Sequence, residues 1–287
     1  MKGFAERAQQ IRCLAHREIK KEKMVRILAV GDVFGTPGLE FVRKHLRKIK
    51  NAENADLVIV NAENAHEGSG LEKYDADILF ESGADVLTGG NHSFRRYAIF
   101  DLLEDEPTVL RPLNFPPDSP GEGYCIVPIK NGLRAMVISV CGQVFMDPVD
   151  SPFHAVERLL ERQKGNYDIA ICDFHGEATS EKQAFMHIFD GRIQAVFGTH
   201  THVQTADERL TDRGSGYISD IGMCGSLDSI IGVSYNTAIS RFTKNVRMKG
   251  IPEKKNIALT GAVFEIDEST LYCTNVKRIK YSEGNLK

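Results

Sequence analysis

The sequence lacks several features that mark specialised classes of protein. Its 287 residues carry a formal net charge of -3, so there is no excess of basic residues. A domain that binds duplex nucleic acid needs a clearly basic surface, and we therefore expect no stable duplex partner. No apolar run approaches the roughly 18 residues that indicate a membrane span, and no apolar secretory segment opens the chain. We expect a cytoplasmic protein that does not bind membranes.

The six cysteines form no Cys-x-x-Cys motif and are spread along the chain. Several lie within apolar runs, as Cys172 does in the run that begins at Ile169. This distribution is typical of small buried side chains in a reducing compartment. It argues against a disulfide framework and against a zinc site built from thiolates.

Apolar runs alternate with helix-like segments, which predicts a largely buried α/β sheet. The close spacing of the last three runs indicates antiparallel strands, so a mixed or double sheet is expected rather than a purely doubly wound one. The proline-rich stretch Pro107–Gly123 is expected to be an irregular loop. The predicted strands are Val25–Val30, Leu57–Val60, Val86–Thr88, Ala135–Val140, Ile169–Cys172, Ile193–Phe197, Tyr217–Ser219, Ala262–Ile266 and Tyr272–Ile279, and the predicted helices are Gly38–Ile49, Tyr74–Ser82, Pro152–Gln163 and Ser180–Phe189.

Residues 1–23 differ from the rest because they are rich in lysine and arginine. Their apolar residues recur at helical spacing, which is compatible with a basic amphipathic helix or with a tail outside the core. Met24 opens the first predicted strand and is itself a candidate start of translation. We expect one domain over residues 24–280 and a short C-terminal tail over residues 281–287.

The segment Gly198–His202 contains two histidines separated by one residue, directly after the apolar run Ile193–Phe197. Such residues point to the same side of an extended backbone. Neutral imidazole is the commonest protein metal ligand, so the pair predicts half of a metal site. An isolated pair is equally compatible with surface histidines or with histidines held by hydrogen bonds. The rest of the sequence must supply the missing ligands.

Several other predicted strands also end in residues that commonly bind metals. In α/β folds, ligands gather beyond the carboxyl ends of the strands. Each residue alone has a structural alternative, such as a turn, a helix cap, an exposed loop or a buried histidine. Five strand ends of this kind together favour a binding site. The residues are Asp32 after the first strand, Glu63 and Asn64 after the second, Asn91 and His92 after the third, His175 after Ile169–Cys172, and His200 and His202 after Ile193–Phe197.

Carboxylate and amide oxygens mixed with imidazoles suit Mn, Fe or Zn better than Ca or Mg. The set is too large for one metal ion. A pair of ions about 3.5–4 Å apart, bridged by a carboxylate, is the natural arrangement. A site with one ion, held by His175, His200 and His202, is the remaining alternative.

The order of these motifs resembles that of the calcineurin-like metallophosphoesterase superfamily. Phe34 stands where the superfamily has the histidine of Asp-x-His, and Glu63-Asn64 stands in place of Gly-Asp. The bacterial YmdB-like phosphodiesterases share both departures, and the chain resembles them from Met24 to about Ile279. The matching segments are Gly31–Gly35, Asn61–Ala65, Gly90–His92, Arg111–Pro116, Phe174–Lys182 and Gly198–Asp207.

The resemblance implies a four-layer α/β/β/α sandwich of two mixed sheets with a site for two metal ions. Iron is favoured, with manganese as a substitute. His92 is implied as a catalytic residue, but the superfamily's carboxylate partner for it is absent from the sequence Ser93–Arg96. The resemblance assigns Asp32, Glu63, Asn64 and His202 to one ion and Glu63, Asn91, His175 and His200 to the other, with Glu63 bridging.

The function implied is hydrolysis of 2′,3′-cyclic nucleotides, a small-molecule phosphodiester substrate, by metal-activated water. A phosphomonoesterase or 5′-nucleotidase could use the same centre, because selectivity depends on the shape of the pocket. A regulatory RNA-associated protein with a degenerate site is a further alternative, although every ligand position is filled. The sequence is compatible with homo-oligomers and does not fix the oligomeric state.

Overall fold

Two β-sheets occupy the centre of the fold, and helices cover the outer face of each. The computed structural model describes residues 23–246 and 248–286. The helices in this part of the chain are α1 (Gly35–Glu53), α2 (Lys73–Glu81), α3 (Ile99–Asp105), α4 (Pro152–Arg162), α5 (Thr179–Phe189) and α6 (Tyr235–Lys244). The strands are β1 (Met24–Val30), β2 (Asp32–Val33), β3 (Leu57–Asn61), β4 (Val86–Thr88), β5 (Tyr124–Pro128), β6 (Arg134–Cys141), β7 (Ile169–His175), β8 (Ala195–Thr199), β9 (Arg209–Leu210), β10 (Gly216–Ile218), β11 (Met223–Ser226), β12 (Ile257–Asp267) and β13 (Cys273–Ser282).

Both sheets are mixed. The seven-stranded sheet has the order β2-β11-β12-β1-β3-β4, with β13 also paired to β12, and the six-stranded sheet has the order β5-β6-β7-β8-β10-β9. Strands β1, β3 and β4 run parallel to one another, and so do β6, β7 and β8. The long strands β12 and β13 pair antiparallel, as their spacing predicts. Each sheet thus contains a parallel group whose carboxyl ends lie at one edge.

Three buried apolar clusters define four layers. One cluster lies between the sheets and joins residues such as Ile27 of β1 to residues such as Val137 of β6. A second cluster packs α1, α2 and α3 on the seven-stranded sheet, and a third packs α4 and α5 on the six-stranded sheet. The fold is therefore the expected α/β/β/α sandwich.

Helix α1 shows why these segments become helices. Leu39, Val42, Leu46 and Ile49 recur three or four residues apart and are all buried against the sheet. The helix ends at Asn54, whose φ of 50° is left-handed and therefore stops helical hydrogen bonding. Periodicity of this kind explains why the predicted helices fall at the observed positions, with ends displaced by a few residues.

Some elements are absent from the sequence-based prediction. These are helices α3 and α6 and strands β2, β5, β9 and β11. The two helices have seven and ten residues, and β5 follows the proline-rich stretch directly. The domain boundary predicted at residue 280 falls within β13, and Leu286 beyond it is buried. The basic tail or helix predicted over residues 1–23 lies outside the described residues except for Lys23. None of the helices in the described residues is long and apolar enough to cross a membrane.

Gly198 in β8 allows a close approach that the candidate site depends on. Its carbonyl accepts a hydrogen bond of 2.9 Å from the Ile221 amide, and an added Cβ would overlap the backbone carbonyl of Ser219. Only glycine lets the chain that follows β10 lie directly against β8. That packing places the residues just after β8 in a fixed position.

We predict that Gly198→Ala lowers the free energy of unfolding by about 1–3 kcal/mol, because the new methyl group forces two backbone segments apart. Urea denaturation followed by circular dichroism measures the change. The control is Gly284→Ala, since a Cβ there meets nothing closer than 3.9 Å, and it should stay within about 0.5 kcal/mol of the wild type. Equal midpoints for wild type and Gly198→Ala would contradict the prediction.

Candidate metal centre

The carboxyl ends of the two parallel groups meet at one place. His175 is the last residue of β7, and Glu63 lies two residues beyond β3. The Nε2 atom of His175 lies 3.3 Å from the Oε1 atom of Glu63, so the contact joins the two sheets. Asn61 at the end of β3 also donates a 3.0 Å hydrogen bond to Asp173 of β7. The site is built across the interface between the sheets.

A first group of donor atoms surrounds the Nε2 atom of His175. The Oδ1 atom of Asn91 lies 3.0 Å from it and the Nδ1 atom of His200 lies 3.1 Å from it. Ligand atoms of Glu63, His175 and His200 all lie within 4.8 Å of one another. Ligands bonded at about 2.0–2.2 Å to one ion lie about 3 Å apart, so this spacing fits a metal ion.

A second group lies on the other side of Glu63. The Nε2 atom of His202 lies 3.6 Å from Asp32 Oδ1 and 3.2 Å from Asn64 Nδ2. The same Asn64 nitrogen lies 2.8 Å from Glu63 Oε1. Glu63 therefore contacts members of both groups, and its side chain is fully buried.

Each of the three histidines assigned as ligands has one ring nitrogen directed away from the cluster, beside a hydrogen-bond acceptor. For His175 this is Thr199 Oγ1 at 2.9 Å, and for His202 it is the Ile231 carbonyl at 2.9 Å. For His200 it is the Glu177 carboxylate at 3.2 Å. An acceptor at one nitrogen fixes the proton there and leaves the lone pair of the other nitrogen free to bind a metal.

A buried network of hydrogen bonds orients the His175 ring. Thr199 donates to Asp173 at 2.7 Å, and Thr88 donates to the other oxygen of the same carboxylate at 2.5 Å. Because the Thr199 hydroxyl donates to Asp173, it accepts from the His175 ring. Burial raises the pKa of Asp173 to about 6, even though His175 and its hydrogen-bond donors favour the charged form.

The electrostatics of the centre favour positive charge among its donors. Burial alone would raise the pKa values of Asp32 and Glu63, but His202 lowers the first and His175 lowers the second. Burial alone would lower the pKa of His175, yet the carboxylates of Glu63 and Asp32 raise it to about 9. Burial and the charge of His175 lower the pKa of His200 to about 4. A cation, whether proton or metal, is therefore stabilised between these carboxylates.

The backbone after β8 is not extended, contrary to what the His-x-His spacing predicts. The extended strand ends at Thr199, and His200 and His202 have φ values of 102° and 63°. The expectation that both histidines lie on an extended backbone is wrong. A left-handed backbone at two non-glycine residues costs of order 1–3 kcal/mol each, so other contacts must hold this turn.

A buried ion pair holds the turn. Lys182 lies 3.0 Å from Asp220 and donates to the Thr199 carbonyl at 2.9 Å. The Asp220 carboxylate accepts from the Thr201 amide at 3.1 Å, and Asp32 accepts from the His200 amide at 3.2 Å. Both charged side chains of the pair are only 2% exposed. The pair fixes the backbone from which the two histidines project.

His92 lies beside the second group. Its Nδ1 atom is 2.9 Å from Asn64 Oδ1 and 3.1 Å from Glu63 Oε1, and its amide donates to Glu63 Oε2 at 2.8 Å. The side chain is 28% exposed, whereas that of Glu63 is fully buried. His92 thus reaches the opening of the centre, and its partners in this structure are two of the candidate ligands.

All eight residues singled out by the sequence meet at this centre. The residues that orient them were not identified from the sequence, with one partial signal: Asp173 and His175 share a strand face because they are two residues apart. Glu177 and Lys182 lie within the matching segment Phe174–Lys182, but the sequence does not show which distant side chains they contact, and Asp220 gave no signal.

The chain is similar to several known proteins over nearly its whole length. The chain is 39% identical over 262 residues to a Bacillus subtilis protein named 2′,3′-cyclic-nucleotide 2′-phosphodiesterase, covering 91% of this chain and 99% of that protein. It is similar to a Thermus thermophilus structure described as a hypothetical protein, with a TM-score of 0.85, 37% identity and coverage of 90% and 100%. A structure described as a novel phosphatase from Mycoplasma pneumoniae matches with a TM-score of 0.84, 33% identity and coverage of 90% and 94%.

The family model described as YmdB-like protein matches residues 28–279. This span contains every donor of both groups and most of both sheets. The resemblance stated from the motifs is confirmed, and the chain belongs to the YmdB-like family.

Proposed function

We propose that the protein hydrolyses 2′,3′-cyclic nucleotides at a centre of two metal ions. The chain is a hydrolytic phosphoesterase, in keeping with relatives named phosphodiesterase or phosphatase. The choice of substrate is supported by the name of the Bacillus subtilis relative. The observation that carries the proposal is the arrangement of three histidines, each with one nitrogen beside an acceptor and the other directed to a shared cluster of carboxylates.

The residues fit a metal centre by the chemistry of their donors. Imidazole, carboxylate and amide ligands without thiolate suit iron or manganese. When bound, two such ions supply Lewis acidity and lower the pKa of a coordinated water from about 15.7 to about 7. We assign one ion to Glu63, Asn91, His175 and His200, and the other to Asp32, Glu63, Asn64 and His202.

Asn64 and His92 together set the position of one proton. The Asn64 amide now donates its NH₂ group to Asp32 and Glu63 and turns its oxygen to His92. To act as a ligand, the amide must rotate by 180° so that its oxygen faces the carboxylates, since a cation binds oxygen and repels NH₂. The NH₂ group then faces Nδ1 of His92, and in the neutral form of the ring the proton resides on Nε2.

A second proton, on Nδ1, would face Glu63 Oε1, which lies 3.1 Å away. His92 acts as a proton donor in this doubly protonated form and becomes neutral on transfer, because a neutral ring that lost its last proton would become an imidazolate. Its Nε2–H group is directed away from Asn64 and is available to the leaving ribose oxygen. A well-placed general acid contributes about 10²- to 10⁴-fold to rate. A 2′,3′-cyclic ester is strained, so its leaving group needs less of this assistance.

We also propose a cytoplasmic location. The five cysteines in the described residues are unpaired and buried, which suits a reducing compartment. Burial raises the pKa of Cys125 and of Cys273 to about 12, so neither is a reactive thiolate at neutral pH.

The proposal is tested by a panel of substrates after reconstitution with defined metals. We expect 2′,3′-cyclic AMP to be hydrolysed with a higher kcat/KM than 3′,5′-cyclic AMP or AMP. Iron and manganese should each restore activity to protein stripped by a chelator. The description of the Mycoplasma pneumoniae structure as a phosphatase makes preference for the monoester the alternative outcome.

We predict two ions per chain, measured by elemental analysis. His200→Ala and His202→Ala should each reduce the content to about one ion, because the two histidines serve different ions. Either variant should lower kcat/KM by more than the 10- to 100-fold typical of losing a residue that only orients a ligand. The matched control is His154→Ala, which removes an exposed histidine of α4. One ion in the wild type, lost in both variants, would instead indicate a mononuclear site.

We predict that His92→Ala impairs an unstrained dialkyl ester more than a strained one. The loss of kcat/KM on 2′-deoxyadenosine 3′-(methyl phosphate) should approach 10²- to 10⁴-fold, as expected for a lost general acid. The loss on 2′,3′-cyclic AMP should be smaller, and metal content should stay at the wild-type value. Equal losses on both substrates would show that His92 does not protonate the leaving group.

A further inference from the structure

A cavity of about 260 Å³ lies beside the candidate metal centre. Asn91 lines it and also contacts His175, so one residue belongs to both sites. Cys141 and Gly142 form another part of its wall. Cys141 pairs with His175 across β6 and β7, and the Gly142 amide donates to the His175 carbonyl at 2.9 Å. The cavity therefore adjoins the candidate metal centre and shares Asn91 with it.

The walls of the cavity are apolar and aromatic. Phe94 and Phe115 lie with ring centroids 5.3 Å apart and ring planes at 60°, and Met146 and Pro148 contribute further apolar surface. No lysine or arginine is among the described residues that line it, and Asp147 is the one charged group there. The cavity is thus unsuited to a phosphate and suited to a planar, uncharged group.

The wall of the cavity is held in place before any ligand binds. Asn114 is buried and donates from its amide to the carbonyls of Cys141 at 2.8 Å and of Asp150 at 2.7 Å. The Glu181 carboxylate accepts from the amides of Gln143 and Val144. Both ends of the loop after β6 are therefore fixed, so that a ligand need not order it.

We propose that this cavity binds the nucleobase of the substrate, with the base stacked on Phe115 or Phe94. The proposal rests on the proposed function, because it assumes a nucleotide whose phosphate lies at the metal centre. Rings inclined at 60° offer one face and one edge to a planar base, an arrangement that aromatic groups favour. Stacking of this kind accepts every base, since each has a π face.

The larger cavity of the protein does not compete for this role. It has a volume of about 590 Å³ and lies between α1 and residues 249–257. None of the candidate ligands lines it, and its lysines and glutamates are present in equal number. Its position and mixed charge give it no relation to the phosphate site.

The test compares Phe115→Ala with Phe145→Ala on two substrates. Phe145 belongs to the same loop as Met146 but is 88% exposed and does not line the cavity. One substrate is 2′,3′-cyclic AMP, and the other is methyl ribofuranoside 2,3-cyclic phosphate, which lacks a base. Phe115→Ala should lower kcat/KM on the nucleotide by about 5- to 150-fold, the range for stacking of a base on one ring. It should leave the base-free ester unchanged, and Phe145→Ala should affect neither.

A binding measurement separates this inference from the proposed function. Adenosine is titrated into the full-length protein while the Met146 methyl resonance is followed by NMR. We expect a saturable shift that weakens in Phe115→Ala and in Phe115→Leu, a variant that keeps the bulk of the side chain and so guards against misfolding. If the protein hydrolyses no cyclic nucleotide, the proposed function is wrong. The adenosine titration alone then tests whether the cavity binds a nucleobase. The absence of a shift with adenosine would overturn the assignment of the cavity to the nucleobase. An equal loss of kcat/KM on both substrates in Phe115→Ala would also overturn it.

Discussion

The buried ion pair between Lys182 and Asp220 is the interaction on which the site depends. It ties α5 of one helical layer to the chain after β10, and it meets the turn after β8 at two backbone groups. Removing one partner of such a pair leaves an uncompensated buried charge, at a cost of about 3–5 kcal/mol. That cost is of the same order as the strain of the two left-handed histidines. The pair thereby holds the turn from which both histidines project.

Convergence of the two sheets places the donors, and the layers around them bury the side chains of Asp32, Glu63 and His175 completely. The seven-stranded sheet supplies the acidic and amide donors that follow β1, β3 and β4, and the six-stranded sheet supplies His175, His200 and His202. Neither sheet alone holds a full set of donors. Glu63 is in contact with members of both groups, so its position depends on how the sheets pack. The apolar cluster between the sheets, with Ile27 and Val137, is in this sense part of the site.

Most of the fold and all the candidate donors could be predicted from the sequence, because strands with continuous apolar runs end in polar residues. The backbone of His200 and His202 could not, since a left-handed conformation at a non-glycine residue depends on tertiary contacts. Nor could the role of Glu177 beside His200, because the matching segment Phe174–Lys182 does not show which distant side chain Glu177 contacts. Helices α3 and α6 were missed although their apolar residues recur at helical spacing, as Ile99, Leu102 and Leu103 do, because so short a run gives a weak pattern.

Glu63 and His175 lie 3.3 Å apart but belong to different sheets, and this has a consequence for the energetics of the whole molecule. A ligand that binds both residues favours only the state in which the sheets are packed together. Its binding free energy is then added to the free energy of unfolding, by about 2.7 kcal/mol at a free concentration 100 times its Kd. If that ligand is the proposed metal, the melting temperature depends on the metal concentration, and a thermal scan measures how much of the site is occupied. Thermodynamically, the centre and the fold are one cooperative unit.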